Sequence, residues 1–257
     1  MKKVVFIHVP KTSGTSLVHF LKQHIPAFFV QANAADQLDS GDPLVGRVRD
    51  LADVRRALDS YGGLALHVDS SFEATRRTTD YRSLAPLLFE PENAAYFRQF
   101  SVLTMLRDPY RSFLSSYAFV KRAKERDPGF LPDLDLGNVH AYLDQAHPNA
   151  ILHFLLEPQL ARRRTMTSED LARVQSSIAS CPIHVGIYER YAESIRVFAR
   201  VLGRSLDPQD VPTLNVGESI PQEDARLEAS FRERNPLDLE LYAYCRRVFD
   251  DRVDGGG

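Results

Sequence analysis

The chain has 257 residues, of which 44% are hydrophobic and 26% are charged, and its formal net charge is −2. This balance argues against a general nucleic-acid-binding protein, and no stretch approaches the roughly 20 apolar residues of a membrane span. Neither Cys181 nor Cys245 lies in a CxxC motif or in a Cys/His cluster with zinc spacing, which predicts reduced thiols and no metal site.

The amino-terminal segment predicts a first strand rather than a secretion signal. Its apolar run extends only from Val4 to Val9 before Pro10 and Lys11 interrupt it. A signal peptide needs about 7–15 apolar residues followed by a small-residue cleavage site. We therefore expect a cytoplasmic protein that folds as one domain over residues 1–257.

Apolar strands then alternate with amphipathic helices along the chain. The predicted strands lie in KVVFIHV, LALHV, SVLTML and CPIHVGIYERY. The predicted helices lie in TSLVHFLKQHI, VRDLADVRRALDSY, YRSFLSSYAFVKRAK, SEDLARVQSSIAS (with Ser168 as N-cap) and PLDLELYAYCRRVF. This alternation indicates an α/β fold with a central, mainly parallel sheet that helices cover on both faces.

The first chemical motif is FIHVPKTSGTSL, residues 6–17, between the first strand and the first helix. Free amides at a helix N-terminus and the positive end of the helix dipole attract anions, and Lys11 with Thr12, Ser13, Thr15 and Ser16 adds a cation and hydroxyl donors. The ligand should therefore carry phosphate or sulfate. An ordinary ATP or GTP site is disfavoured, because Lys11 precedes Gly14 and the pattern GxxxxGK[ST] is missing.

The second motif is LRDPYRSFLSSY, residues 106–117, in which Arg107 ends an apolar strand and Pro109 suits the first turn of a helix. Ser115 and Ser116 lie about two turns into that helix. An arginine can clamp a phosphate with two parallel hydrogen bonds, and a serine hydroxyl can donate to the same group. The motif therefore predicts a second anion site at the end of a strand.

Together the two motifs resemble those of sulfotransferases that use 3′-phosphoadenosine-5′-phosphosulfate (PAPS). VPKTSGTSL looks like the turn that binds the 5′-phosphosulfate, and RDPYRSFLSSY looks like the segment that binds the 3′-phosphate. The resemblance is greatest to the carbohydrate branch that includes the heparan sulfate 2-O-sulfotransferases, which HVGIYERYAESIRVFARVLG also resembles. It implies a P-loop-like three-layer α/β/α fold.

The resemblance also implies a role for each motif residue. Lys11 would neutralise charge on the departing phosphate, and Thr12, Ser13, Gly14, Thr15 and Ser16 would hold the 5′-phosphate. Arg107 and Ser115 would hold the 3′-phosphate. The donor would be PAPS and the product 3′,5′-adenosine bisphosphate (PAP), with no metal.

The general base is predicted to be His67, in LALHVDSSF, because it resembles the histidine segment of the 2-O-sulfotransferases and has a near-neutral pKa. Asp69 and Glu73 are the nearby alternatives. The resemblance points only weakly to an adenine pocket, near Gly186, Tyr188 and the LNVGES segment around Asn215.

The acceptor is expected to be a hydroxyl of a carbohydrate or glycolipid, with lipids and small phenols left open. Residues 31–46, 121–137 and 162–164 could shape its cleft. Two alternatives remain at this stage: a P-loop-like nucleotide-dependent kinase, and a nucleotide-binding module without turnover.

Overall fold

The computed structural model of the chain describes residues 3–30, 50–66, 69–70, 81–82, 84–127, 129–131, 134–157, 164–204 and 224–255. The strands in these ranges are β1 (Val4–Ile7), β2 (Phe28–Val30), β3 (Gly63–Leu66), β4 (Asp69–Ser70), β5 (Tyr81–Arg82), β6 (Ser101–Leu106) and β7 (Ile183–Ile187). The helices are α1 (Gly14–His24), α2 (Leu51–Ser60), α3 (Pro86–Phe89), α4 (Ala94–Phe97), α5 (Pro109–Arg126), α6 (Val139–Gln145), α7 (Ala150–Leu156), α8 (Ser168–Ser180), α9 (Tyr191–Val201), α10 (Ala225–Arg234) and α11 (Pro236–Asp254).

The main sheet has five strands in the order β2-β3-β1-β6-β7, and every neighbouring pair is parallel. Every residue of β1 and of β6 is buried, so helices cover both faces of the sheet. The β1-to-β2 and β2-to-β3 connections run in opposite directions across the sheet, so the general right-handedness of such crossovers puts α1 and α2 on opposite faces. The predicted three-layer α/β fold with a parallel sheet is confirmed.

Several element boundaries follow the sequence closely, and others do not. SVLTML forms β6 over the predicted residues 101–106, and Pro109 lies in the first turn of α5 as expected. The N-cap of α8 is Thr167 and not Ser168, because Thr167 and Asp170 form a reciprocal capping box. The sequence analysis missed β2, whose three residues are too few for a periodic pattern.

The main hydrophobic core lies between the parallel sheet and its covering helices. A second, smaller core joins α5, α6 and α10 beside the sheet, and its buried residues are Tyr110, Phe113, Leu114, Leu143, Leu227 and Phe231. This second core holds α5 along one side, which matters because α5 carries Ser115. No helix in the described part of the chain is both long enough and apolar enough to cross a membrane.

A buried polar cluster fastens α7 to α11. The Asp238 carboxylate accepts hydrogen bonds from the Ile151 and Leu152 amides at 2.9 and 2.8 Å. Asn149, which precedes α7, accepts from the amides of Leu237 and Asp238. Burial raises the pKa of Asp238 from its ordinary 3.8 to about 7, although the two amide donors oppose this shift.

This shift predicts that the free energy of unfolding falls as pH rises from about 4 to about 7. In that window Asp238 stays protonated in the folded protein and loses its proton in the unfolded chain. Raising the pH therefore favours the unfolded state. Asp238→Asn does not titrate and should flatten this part of the profile, while its overall stability falls because its amide group replaces one of the two oxygens that accept from Ile151 and Leu152. Urea unfolding at a series of pH values measures the slope, and an unchanged slope in the variant would assign it to other groups.

Candidate active site

Three turns follow the carboxyl ends of neighbouring strands, along the same edge of the sheet. β1, β6 and β7 are neighbouring parallel strands, so their carboxyl ends lie side by side. The turn after β1 holds Lys11, the turn after β6 holds Arg107, and a 3₁₀ turn after β7 begins at Tyr188. Ligands of such sheets bind outside the carboxyl ends of the strands. The fold therefore brings the two sequence motifs to the position where a ligand is expected.

The turn between β1 and α1 has a strained backbone. Lys11 and Ser13 have φ values of 65° and 61°, in the left-handed region that favours glycine. Each non-glycine residue in this conformation costs about 1–3 kcal/mol. When left-handed and right-handed backbone conformations alternate along a turn, successive amides point into one concavity that binds anions. A turn that merely began a helix would not need this strain, so its conformation favours a binding role.

The first turn of α1 is also suited to an anion. The N-cap Ser13 makes no side-chain capping hydrogen bond, and the first turn carries no acidic residue. Its amides therefore lack the side-chain partner that a capping residue usually provides. The positive end of the α1 dipole faces the same turn as Lys11.

The hydroxyls of the motif differ in what they can do. Thr12 is fully buried, and its Oγ1 donates to the Val9 carbonyl at 2.8 Å, so this side chain braces the turn. Ser16 is also buried and interacts with the Tyr191 phenol, whose pKa burial raises to about 12. Gly14 and Thr15 begin α1, and the Thr15 side chain lies outside the described part of the structure. Backbone amides rather than the Thr12 hydroxyl are thus the donors that the turn offers.

Arg107 links the two motifs. One of its terminal nitrogens donates to the Lys11 carbonyl at 3.4 Å, across 96 positions of sequence. Its guanidinium carbon lies 4.5 Å from the centroid of the Tyr188 ring. The side chain is only 8% exposed, and its buried Nε has no hydrogen-bond partner among the described residues. An unsatisfied buried guanidinium donor is costly in isolation, so its presence at a strand end points to an anionic ligand.

A residue that the sequence analysis did not single out holds this strand end in place. The Glu189 carboxylate accepts from the Asp108 amide at 3.0 Å and from the Tyr242 hydroxyl at 2.7 Å. Asp108 in turn caps α5 by accepting from the Arg111 amide. Glu189 therefore ties the turn after β7 to the turn after β6 and to α11. The only sequence signal for this role was that Glu189 follows Tyr188 in HVGIYERY. Its contacts with Asp108 and Tyr242 join distant segments, so local pattern could not predict them.

Ser115 shares one face of α5 with Phe119, whose ring contacts Lys11. It is 4% exposed and precedes Phe119 by four residues, which places both side chains on one face. Lys11 Nζ lies 4.3 Å from the centroid of the Phe119 ring. This contact orients the face that carries Ser115. The structure thus brings Lys11, Arg107 and the Ser115 face of α5 to one region.

Other predicted residues fall outside this region or outside the described ranges. His67 and Glu73 lie outside the described residues, and only the backbone of Asp69 is described, as part of β4. Asn215 and residues 31–46 also lie outside them. The acceptor contacts and the base therefore remain sequence predictions.

Two further segments have a structural explanation. A Cβ atom on Gly186 would lie 2.7 Å from the Phe198 ring, so this glycine permits close packing of α9 on β7. Arg164 binds Glu157 and Asp170, which together raise its pKa above the usual range. Its guanidinium is paired with these two carboxylates, and a role of residues 162–164 in the acceptor cleft stays a sequence prediction.

No protein-family model and no curated protein matches the chain. Among solved structures, the chain is similar to a sulfotransferase from Alicyclobacillus acidocaldarius, with 15% identity, a TM-score of 0.48, and coverage of 97% of this chain and 96% of that one. It is also similar to the mouse sulfotransferase SULT7A1 complexed with PAP, with 13% identity, a TM-score of 0.46, and coverage of 97% and 82%. At this level of similarity neither structure assigns a function to this chain, so function has to follow from the residues at the sheet edge.

Proposed function

We propose that this protein is a sulfotransferase that moves the sulfuryl group of PAPS to a hydroxyl acceptor, with a carbohydrate or glycolipid as the expected acceptor. The observation that carries the proposal is the contact between Arg107 and the Lys11 carbonyl, which joins two anion-binding motifs at one sheet edge. The motif resemblance supplies the identity of the donor, and the two solved sulfotransferases agree with it without deciding it.

The chemistry of the two motifs fits a donor with phosphates at two positions. The strained Lys11 turn and the α1 N-terminus suit the 5′-phosphosulfate. The buried Arg107, with its unpartnered Nε, suits a separate 3′-phosphate. ATP lacks a phosphate at the 3′ position, so a simple kinase site would offer Arg107 no 3′-phosphate to bind.

Sulfuryl transfer forms a bond between the acceptor oxygen and sulfur and breaks the bond between sulfur and the bridging oxygen, whose phosphate keeps the electron pair. Lys11 and the α1 amides would stabilise the charge that develops on this phosphate. The proton of the acceptor hydroxyl must go to a base. We propose His67 for this role, with Asp69 and Glu73 as the alternatives that the sequence leaves open.

Transfer from radiolabelled PAPS to a panel of sugars, glycolipids and phenols tests the proposal, with γ-labelled ATP and Mg²⁺ in parallel. We expect label transfer from PAPS only. His67→Ala should lose transfer and still bind PAP, because the base does not hold the donor. Transfer from ATP alone would favour the kinase, and binding of PAP without turnover on any acceptor would favour the non-catalytic module.

A further inference from the structure

One face of α5 continues from the proposed donor site to open solvent. Ser115, Phe119, Arg122, Ala123 and Arg126 succeed one another at intervals of three or four residues, apart from the adjacent pair 122 and 123, so their side chains form a single stripe. Ser115 is buried at one end of the stripe. Phe119 is 47% exposed, and it is the only large hydrophobic side chain of the described residues that is exposed.

The stripe passes close to Lys11, the residue proposed to stabilise the leaving phosphate. Lys11 Nζ lies over the Phe119 ring, at 4.3 Å from its centroid. A molecule that contacts the exposed part of the Phe119 ring would therefore lie near the Lys11 amine. An exposed aromatic ring beside a reactive centre is a surface on which the ring of a sugar or an aryl group can stack.

An open cleft of about 330 Å³ follows the same stripe, lined by Phe119, Arg122, Ala123 and Arg126. Two of these four residues are arginines, whose guanidinium groups recognise carboxylate, sulfate and phosphate through paired hydrogen bonds. Phe119 and Arg126 are seven positions apart, which separates them by about 10 Å along the helix axis. The cleft therefore combines an apolar surface near Lys11 with positive charge farther away.

We propose that the acceptor is a ring-bearing alcohol that also carries an anionic group. Its ring stacks on Phe119, its reacting hydroxyl lies near Lys11, and its anion binds Arg122 and Arg126. This inference rests on the proposed sulfotransferase function, because it treats Lys11 as the site of transfer. The helical rise places the anion about 5–10 Å along α5 from the ring that stacks on Phe119.

A uronic sugar and a hydroxyaryl acid share this chemistry, and matched probes distinguish them. 4-Nitrophenyl β-D-glucuronide and its glucoside differ only in the carboxylate of the sugar. 4-Hydroxyphenylacetate and 4-hydroxyphenylethanol form the corresponding aryl pair. Binding of each probe is measured by calorimetry on the PAP-saturated protein, which does not require that a particular hydroxyl be sulfated.

We expect the anionic member of at least one pair to bind about tenfold or more tightly than its neutral partner, because charged hydrogen bonds are worth more than neutral ones. The double variant Arg122→Gln/Arg126→Gln should abolish this preference and leave neutral binding within about twofold. Lys121→Gln is the matched control, because residue 121 lies on the opposite side of α5 from residues 119 and 126. Phe119→Ala should weaken both members of the preferred pair.

Equal affinity within both pairs, an unchanged preference in the double variant, or no binding of either anionic probe at millimolar concentration would overturn the inference. PAP binding is measured for every variant in the same experiment. If PAP fails to bind the wild-type protein, the proposed function fails. If PAP binds and the probes show no charge preference, only the acceptor inference fails.

Discussion

Lys11→Ala should lower kcat for sulfuryl transfer by about 100- to 1,000-fold, as expected for loss of a group that stabilises charge only in the transition state. PAP affinity should fall much less, since the α1 amides and Arg107 remain. Steady-state kinetics with radiolabelled PAPS and calorimetry with PAP separate the two effects. Lys22→Ala is the control, because Lys22 is an exposed lysine in the last turn of α1, far from the Lys11 turn.

A second substitution at this position separates strain from chemistry. Lys11→Gly removes the same amine but suits φ 65°, so it should be more stable than Lys11→Ala by about 1 kcal/mol while remaining equally inactive. Urea unfolding compares the two variants. Wild-type kcat in either variant would remove Lys11 from the mechanism, and equal stability of the two would show that the turn relaxes when the side chain is lost.

Arg107→Ala should weaken PAP binding by at least about 100-fold, because two charged hydrogen bonds to a phosphate are worth about 1.5–3 kcal/mol each. Adenosine 5′-monophosphate, which lacks the 3′-phosphate, should bind the variant and the wild type within about twofold. Arg107→Lys should give an intermediate loss, since lysine keeps the charge and lacks the planar pair of donors.

Calorimetry with both nucleotides measures this discrimination. Arg98→Ala is the matched control, because Arg98 is exposed and precedes β6 at the opposite edge of the sheet from Arg107. If Arg107→Ala weakened both nucleotides equally, Arg107 would act on the shape of the Lys11 turn through its contact with the Lys11 carbonyl. Unchanged binding of both would place the 3′-phosphate elsewhere.

The strand ends that form the candidate site were predictable because their signals are local. An apolar run that stops at Pro10 or at Arg107 marks a strand end whatever the rest of the chain does. β6 accordingly covers the predicted residues 101–106. That β1 and β6 are neighbours is a property of the sheet order, and local pattern does not encode it.

The residues that sequence reasoning missed act through contacts between distant segments. Glu189 contacts Asp108 and Tyr242, which lie 81 and 53 positions away. Phe119 had a weak local signal, since it follows Ser115 by one helical turn, but its contact with Lys11 required the fold. The positive φ values of Lys11 and Ser13 were also unexpected, because glycine usually marks such positions and neither residue is glycine.

Calorimetric titration of the wild-type protein with PAP, and separately with ATP and Mg²⁺, tests most directly whether the Lys11 turn and Arg107 form one site. We predict that PAP binds at least about 100-fold more tightly than ATP with Mg²⁺, because only PAP places a phosphate at each anion-binding motif. Binding of ATP with Mg²⁺ that is equal to or tighter than that of PAP would contradict the account.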